Sequence, residues 1–254
     1  MKELMEKAEQ YLLHTYNRFP VVLEHGEGVY LYDTNGKKYL DFAAGIGTNA
    51  LGYGDEEFIS AMKEQMDHLL HVSNYFYTKP NLSAVKALAE VTGMDKVFLS
   101  NSGTEAVEGA IKLARKYARK KGFTDKTEII SMQHSFHGRS MGAVSVTGTE
   151  SYRTPFEPLI GTVHFAEFNN LDHVAALVSD KTCAIIVEAI QGEGGIHMAN
   201  PEFLQGIRKL CDDKDIVMIC DEVQCGTGRT GYYFAYEKYG IKPDVVTMAK
   251  GIGN

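Results

Sequence analysis

A mostly parallel β-sheet flanked by helices, preceded by the N-terminal part of a smaller α+β unit, is the fold class that the sequence predicts. Two observations carry it. From about residue 55 onward, short apolar runs alternate with stretches whose apolar residues recur at three- and four-residue spacing, the grammar of strand–helix–strand crossovers. Before that point, residues 28–41 alternate apolar and polar side chains about an Asn35-Gly36 turn, which signals a hairpin and an antiparallel unit. The expected division is therefore residues 1–54, belonging to a smaller domain, and residues 55–254, a large domain left incomplete at its C-terminal end.

Each element has its own justification. A first amphipathic helix precedes the hairpin, and a second helix is expected over 56–70. Strands are expected at 97–100, 128–131, 162–165, 184–188, 216–221 and 245–249, where apolar and β-branched residues cluster. Between the first two of these, apolar positions 107, 110, 111, 114 and 118 mark one face of a helix. Ser102 and Glu105 form a capping box at its start, while Arg119, Lys120 and Lys121 meet the negative end of the helix dipole and Gly122 closes it.

Composition excludes several functions. With 254 residues, 44% hydrophobic and 23% charged, the chain carries enough apolar material for a sizeable core. A formal charge of −7 argues against nucleic acid as a partner. Cys183, Cys211, Cys220 and Cys225 show neither a CxxC pair nor zinc spacing, so they read as reduced thiols with no metal. No long apolar run occurs, and the amphipathic, acidic start MKELMEKAEQYLLHTYNRFP is not built as a secretion leader. The expectation is a cytoplasmic protein with no membrane partner.

In parallel sheets ligands bind beyond the carboxyl ends of the strands, and the residues with chemical potential fall there. Ser102-Gly103-Thr104 opens a helix directly after a strand, offering free N–H groups, a helix dipole and a hydroxyl, a set that suits a phosphate. Ser135-Phe136-His137-Gly138-Arg139 puts an aromatic ring, a glycine and a guanidinium in one loop that can cover a flat ring and still reach a carboxylate. Gln191-Gly192-Glu193-Gly194-Gly195 is a flexible turn bearing a carboxylate. Asp221 ends one apolar run and leads into Glu222-Val223-Gln224, and Lys250 follows the next run. A lysine and an aspartate at the ends of neighbouring strands are what a pyridoxal phosphate enzyme needs, one to hold the cofactor as a Schiff base and one to pair with its ring nitrogen.

Taken singly, each motif has a plainer explanation: a capped helix, a core phenylalanine, a surface arginine, a solvated turn. Two further patterns point elsewhere. Residues 138–142 match the G-x-S-x-G nucleophile elbow, but no strand runs directly into the first glycine. Residues 226–231 match G-x-G-x-x-G, but Asp-Glu-Val-Gln separates them from their strand, against the dinucleotide-binding pattern.

The segments NSGTEA, SFHGR, EAIQGEGG, DEVQCGTGRTG and TMAKG resemble those of the class III, ornithine-type aminotransferases, and the resemblance runs from about residue 15 to 254. Together with the opening TYNRFPVVLEHGEGVYLYDTNGKKYLDFAAGIGTNALGYG and HVSNYFYTKP, they are most similar to the bacterial acetylornithine branch. Gly52-Tyr53-Gly54-Asp55 departs from the Gly-His-x-His-Pro wording usual there. The resemblance implies the pyridoxal-phosphate transferase fold of type I and pyridoxal 5′-phosphate as cofactor. It implies Lys250 as cofactor lysine and proton carrier, Asp221 as partner of the ring nitrogen, and Phe136 and Val223 on the two ring faces. Gln224 would reach the phenolic oxygen, Glu222 would also bind the cofactor, and Ser102, Gly103 and Thr104 would hold the phosphate.

Arg139 would bind the substrate's α-carboxylate, and Glu193 would act as a gate pairing with an arginine beyond residue 254. The implied reaction moves the δ-amino group of N2-acetyl-L-ornithine to 2-oxoglutarate in arginine biosynthesis. Succinylornithine, ornithine and 4-aminobutyrate stand as alternative donors, and an inactive truncated fragment as a different class of answer. A homodimer is implied for the full-length protein, with a Ser-Thr pair donated across the interface. The chain reads as the first two-thirds of such an enzyme.

Overall fold

The computed structural model describes residues 1–254, which divide into two units, residues 1–77 with 253–254, and residues 78–252. In the first unit α1 (Lys2–Tyr11), β1 (Leu23–Glu27), β2 (Tyr30–Asp33), β3 (Lys38–Leu40), the single turn α2 (Ala44–Gly47) and α3 (Glu56–His68) follow one another. The three strands form an antiparallel sheet in the order β1-β2-β3, with Tyr30 opposite Leu40. The expected hairpin closes because Asp33 accepts the N–H groups of Asn35 and Lys37 and the hydroxyl of Tyr39 at 2.8, 3.0 and 2.9 Å, with Gly36 at φ 77°.

The departing segment at 52–55 has a local role. Tyr53 and Gly28 exchange two backbone hydrogen bonds of 2.7 and 2.8 Å, and the Tyr53 hydroxyl donates to Asp41 Oδ2 at 2.7 Å. Asp55 then caps α3 by accepting the Phe58 N–H at 2.8 Å.

The second unit contains α4 (Lys79–Thr92), α5 (Gly103–Lys120), β4 (Glu128–Met132), α6 (Met141–Val146), α7 (Glu150–Arg153), β5 (Val163–Ala166), α8 (Leu171–Leu177) and β6 (Thr182–Val187). The short pair β7 (Ile190–Gln191) and β8 (His197–Met198), then α9 (Pro201–Lys214), β9 (Val217–Asp221) and β10 (Val245–Thr247) complete it. Five strands form one parallel sheet in the order β10-β9-β6-β4-β5. All of β6 is buried, as a strand covered on both faces must be.

Alternation along β6 decides which side chain meets which layer. Ile185 and Val187 join Phe203, Leu204 and Ile207 of α9 in one core cluster, whereas Ala184 and Ile186 join Val107, Ile111 and Ala114 of α5 in the other. Each such aliphatic side chain stabilises the sheet by about 1.5–3 kcal/mol, and Ile186→Ala would cost about 2–5 kcal/mol through the cavity it opens. No helix is long and apolar enough to cross a membrane.

One expected strand does not form. Residues 97–100 are irregular, and Phe98 lies against Gly109 of α5 instead of in the sheet. An apolar run becomes a strand only when a neighbouring edge accepts its N–H and C=O groups, and this segment pairs with neither edge strand, β10 or β5. The last strand is also shorter than expected, ending at Thr247 before the chain turns to place Lys250 at φ 53°.

Candidate active site

Parallel register gathers the chemistry. Val187 pairs with Cys220 and Thr247 with Asp221, so Glu188, Asp221 and Thr247 stand side by side at the carboxyl ends of β6, β9 and β10. Asp221 is buried, and both of its oxygens accept hydrogen bonds. Oδ1 accepts the Thr247 hydroxyl at 2.8 Å and the Val223 N–H at 3.1 Å, while Oδ2 lies 2.7 Å from His137 Nδ1. With a carboxylate as acceptor, Nδ1 carries the proton.

His137 is wholly buried, and its other ring nitrogen, Nε2, has no partner. Burial works against a charge on this imidazole, but the bond to Asp221 and the charges of Asp221 and Glu188 outweigh it and hold the ring's pKa above its ordinary value. The Asp221 carboxylate is thus oriented by three donors.

Glycines let the other motifs approach. A Cβ built on Gly103 would stand 2.9 Å from Val223 Cγ1 and 3.3 Å from Ala249 Cβ, so the start of α5 packs directly against the residues after Asp221 and before Lys250. Ser102 caps the helix by accepting the Glu105 N–H at 3.3 Å, and Glu105 returns a bond to the Asn101 N–H at 2.6 Å. The N–H groups of Gly103 and Thr104 lie in the first turn, where a helix has no acceptors of its own. The Thr104 hydroxyl, expected to face a phosphate, is committed elsewhere: it lies 2.8 Å from Ser140 Oγ and accepts the Ser140 N–H at 3.1 Å. What this turn offers an anion is backbone N–H and dipole.

Gly138, at φ 129°, adopts a conformation open only to glycine, and any Cβ there would strike Thr104 Oγ1. The loop it belongs to is tied down from behind, with the His137 N–H donating to Thr147 Oγ1 at 2.9 Å and the Gly148 N–H to Ser135 Oγ at 2.9 Å. Its aromatic and basic members face each other. The Arg139 guanidinium lies 5.6 Å from the Phe136 ring centroid and 5.0 Å from that of Tyr152, and the two rings meet edge to face at 5.9 Å. Beyond Arg139, Glu108 of α5 accepts the Ser140 hydroxyl at 2.6 Å and the Gly142 N–H at 2.8 Å, capping α6.

Gln224 Nε2 donates to Glu193 Oε1 at 3.2 Å, so the two residues expected at a phenolic oxygen and at a gate are paired with each other. Glu222 is turned away from its neighbour Asp221. Its carboxylate accepts the N–H groups of Ala235 and Tyr236 at 2.9 and 3.0 Å and lies 3.2 Å from Cys225 Sγ, a structural tie for the loop that follows. Burial pushes its pKa up to about 7 against the pull of those hydrogen bonds. Lys250 is half-buried, and this desolvation lowers its amine pKa below the ordinary lysine value, aided by Arg229 and opposed by Glu193, Asp221 and Glu188.

Neither alternative pattern acquires its chemistry. Ser140 of the elbow-like sequence is hydrogen-bonded to Glu108 and Thr104, with the nearby His137 turned to Asp221. Residues 226–231 run through turns that lead into no α-helix.

Three groups that sequence reading passed over are integral here: His137, Glu188 and Thr247. The signal for Thr247 and Glu188 is the register, since each is the strand-end neighbour of Asp221. His137 lay inside a motif already noted, but nothing in the linear text pairs it with a residue 84 positions away.

Comparison with known proteins identifies the family. The model of the family described as Aminotransferase class-III matches residues 11–254. The acetylornithine aminotransferase of Clostridium acetobutylicum is 48% identical over 246 residues, covering 97% of this chain and 64% of that protein. The crystal structure of N-acetylornithine aminotransferase from Stenotrophomonas maltophilia K279a superposes with a TM-score of 0.83 at 36% identity, covering 98% of this chain and 62% of that one. An ornithine aminotransferase from Toxoplasma gondii, with PLP at partial occupancy in its active site, superposes at 0.93 with 30% identity, covering 98% of this chain and 59% of that one. The chain thus spans under two-thirds of the length of each of these proteins. By the match over residues 11–254 and the identity to these relatives, the chain belongs to the class III aminotransferases.

Proposed function

We propose that the protein to which this chain belongs is a pyridoxal 5′-phosphate-dependent aminotransferase acting on N2-acetyl-L-ornithine and 2-oxoglutarate, a step of arginine biosynthesis. The observation that carries the reading is the juxtaposition of Asp221, Gly103 and the Ala249-Lys250 turn at the ends of two adjacent parallel strands. The residues present fit the cofactor. Asp221 is a buried anion matched to a protonated ring nitrogen, the first turn of α5 is matched to a phosphate, and Val223 and Phe136 supply apolar walls. Pyridoxal 5′-phosphate, when bound, supplies the electron sink that lets an amino group leave carbon.

The chain's own residues do the rest. Lys250, its amine made less basic by burial, holds or passes a proton at Nζ and is the residue that would carry the cofactor. Asp221 keeps its direction through Thr247, Val223 and His137. Arg139 offers a planar fork for the substrate's α-carboxylate. Gln224 and Glu193 form a polar edge that can open when a second carboxylate enters, and Ser102 contributes by capping the phosphate-binding turn.

The alternative donors succinylornithine, ornithine and 4-aminobutyrate remain within the same chemistry. The identity to acetylornithine aminotransferases favours the acetylated substrate. The domain division follows the same reading, with the first residues contributing to a smaller domain of a cytoplasmic homodimer. Borohydride reduction of the full-length, cofactor-loaded protein followed by peptide mapping tests the assignment. The pyridoxyl label is expected on Lys250, and a label on any other lysine would overturn it.

A further inference from the structure

The sheet end holds a second buried carboxylate, on which the reading above places no role. Glu188 is the first residue past β6, one position beyond the Val187–Cys220 pair and therefore beside Asp221. It is only 5% exposed. Its Oε2 accepts the Phe136 N–H at 3.2 Å, a bond between segments 52 residues apart. The charged and titratable groups acting on it or feeling its charge come from each neighbouring segment: His137 from the loop after β4, Asp221 from β9 and Lys250 from the turn after β10.

Keeping a carboxylate here is costly. Burial pushes its pKa up to about 7, the charge of Asp221 adds to the rise, and His137 offsets part of it. An apolar side chain at the same position would avoid that cost but could not hold Phe136. The loop carrying Phe136 is fastened on its other side by Ser135 and Thr147, and two bonds draw it to the ends of the central strands: His137 to Asp221 through its side chain, and Phe136 to Glu188 through its backbone, the one that acts at Phe136 itself.

We propose that Glu188 is a positioning residue: by accepting the backbone N–H of Phe136 it fixes the aromatic wall of the site at the strand ends. The inference rests on the reading of this site as a pyridoxal phosphate site.

The test uses the full-length protein at pH 8.5, where Glu188 is ionised. Glu188→Ala is expected to weaken pyridoxal 5′-phosphate binding about tenfold in an equilibrium titration, through the loss of the charge-assisted hydrogen bond that holds Phe136. It is also expected to alter the induced circular dichroism of the bound cofactor. Glu188→Gln, whose amide oxygen still accepts the Phe136 N–H although its –NH2 then meets the second backbone donor, Gly192, is expected to lose clearly less affinity than the alanine variant. Equal affinity and an unchanged dichroic band in the alanine variant, or an equal loss in both variants, overturns the proposal.

Should the alanine variant not fold, Glu188→Asp replaces it, since a side chain one methylene shorter falls short of the N–H and is expected to show the same loss. A parent protein that takes up no cofactor at all overturns the site reading and the inference with it. Cofactor uptake by the parent and an unaffected alanine variant overturn the inference alone.

Discussion

Two aspartates, each at the end of a strand and each almost fully buried, separate the two units of this molecule. Asp33, 3% exposed, takes its donors from Asn35, Lys37 and Tyr39, all within six residues. Asp221, 4% exposed, takes one donor from two residues away and the others from Thr247 and His137, 26 and 84 residues distant. The first arrangement is turn chemistry, complete in itself. The second can exist only after the sheet has assembled, and it includes an ionisable partner with an unsatisfied nitrogen. Burial and hydrogen bonding alone do not distinguish a structural carboxylate from a working one. What separates these two is the sequence distance of their donors.

Substitutions at both aspartates can break that comparison. In the full-length protein Asp221→Asn is expected to lower the rate of amino transfer by roughly three orders of magnitude or more, because a buried charge aimed at the reacting ring is lost. Stopped-flow or steady-state turnover measures it, and a near-normal rate would show that the wrong carboxylate had been chosen. Tyr39→Phe, which removes one donor from Asp33, is expected to leave turnover unchanged.

A smaller effect is expected at Arg139. Replacing its planar fork by a single ammonium, Arg139→Lys, should raise the KM for acetylornithine about ten- to a hundredfold, corresponding to about 1.5–3 kcal/mol, with cofactor absorbance unchanged. Titration with 4-aminobutyrate alongside tells whether the loss is selective, and equal losses for the two amines would return Arg139 to a structural role.

Glu222 sharpens the contrast from the other side, since it adjoins Asp221 but serves the fold. Glu222→Gln is expected to cost about 1–3 kcal/mol in a urea melt, because the amide places a donor against a backbone N–H. A large loss of cofactor affinity at unchanged stability would contradict this. The pH dependence has a definite sign. In the folded protein Glu222 and Glu188 are raised from 4.5 to about 7, so the native state binds more protons than the unfolded chain between those values. Their contribution to stability is full below pH 4.5, is lost as pH rises to about 7, and a thermal melt series should show it. The Glu222 variant should flatten that part of the profile. The smallest effect is that of Tyr39→Phe on stability, expected within about 4 °C in the melting temperature.

The sequence made much of this legible because local chemistry writes itself locally. The Ser102–Glu105 box, the Asn35-Gly36 turn and the face at 107, 110, 111, 114 and 118 all depend on neighbours within a turn or two, and all appear in the structure. What escaped depends on packing. The His137–Asp221 bond needs β4 and β9 in their final order, and the Thr104 hydroxyl is diverted to Ser140 only because Gly138 lets that loop descend onto α5. Glu222 reads like its neighbour Asp221, yet consecutive residues of a strand end point to opposite sides. Residues 97–100 have the composition of a strand and lack a partner edge.

The fastening of Ser140 to both Thr104 and Glu108 has a further consequence. One rigid rod, α5, carries at its tip the amides suited to a phosphate and, a turn along, the anchor of the loop that presents Arg139. Two anions held by this chain would therefore be gripped by a single body with a set span between the grips.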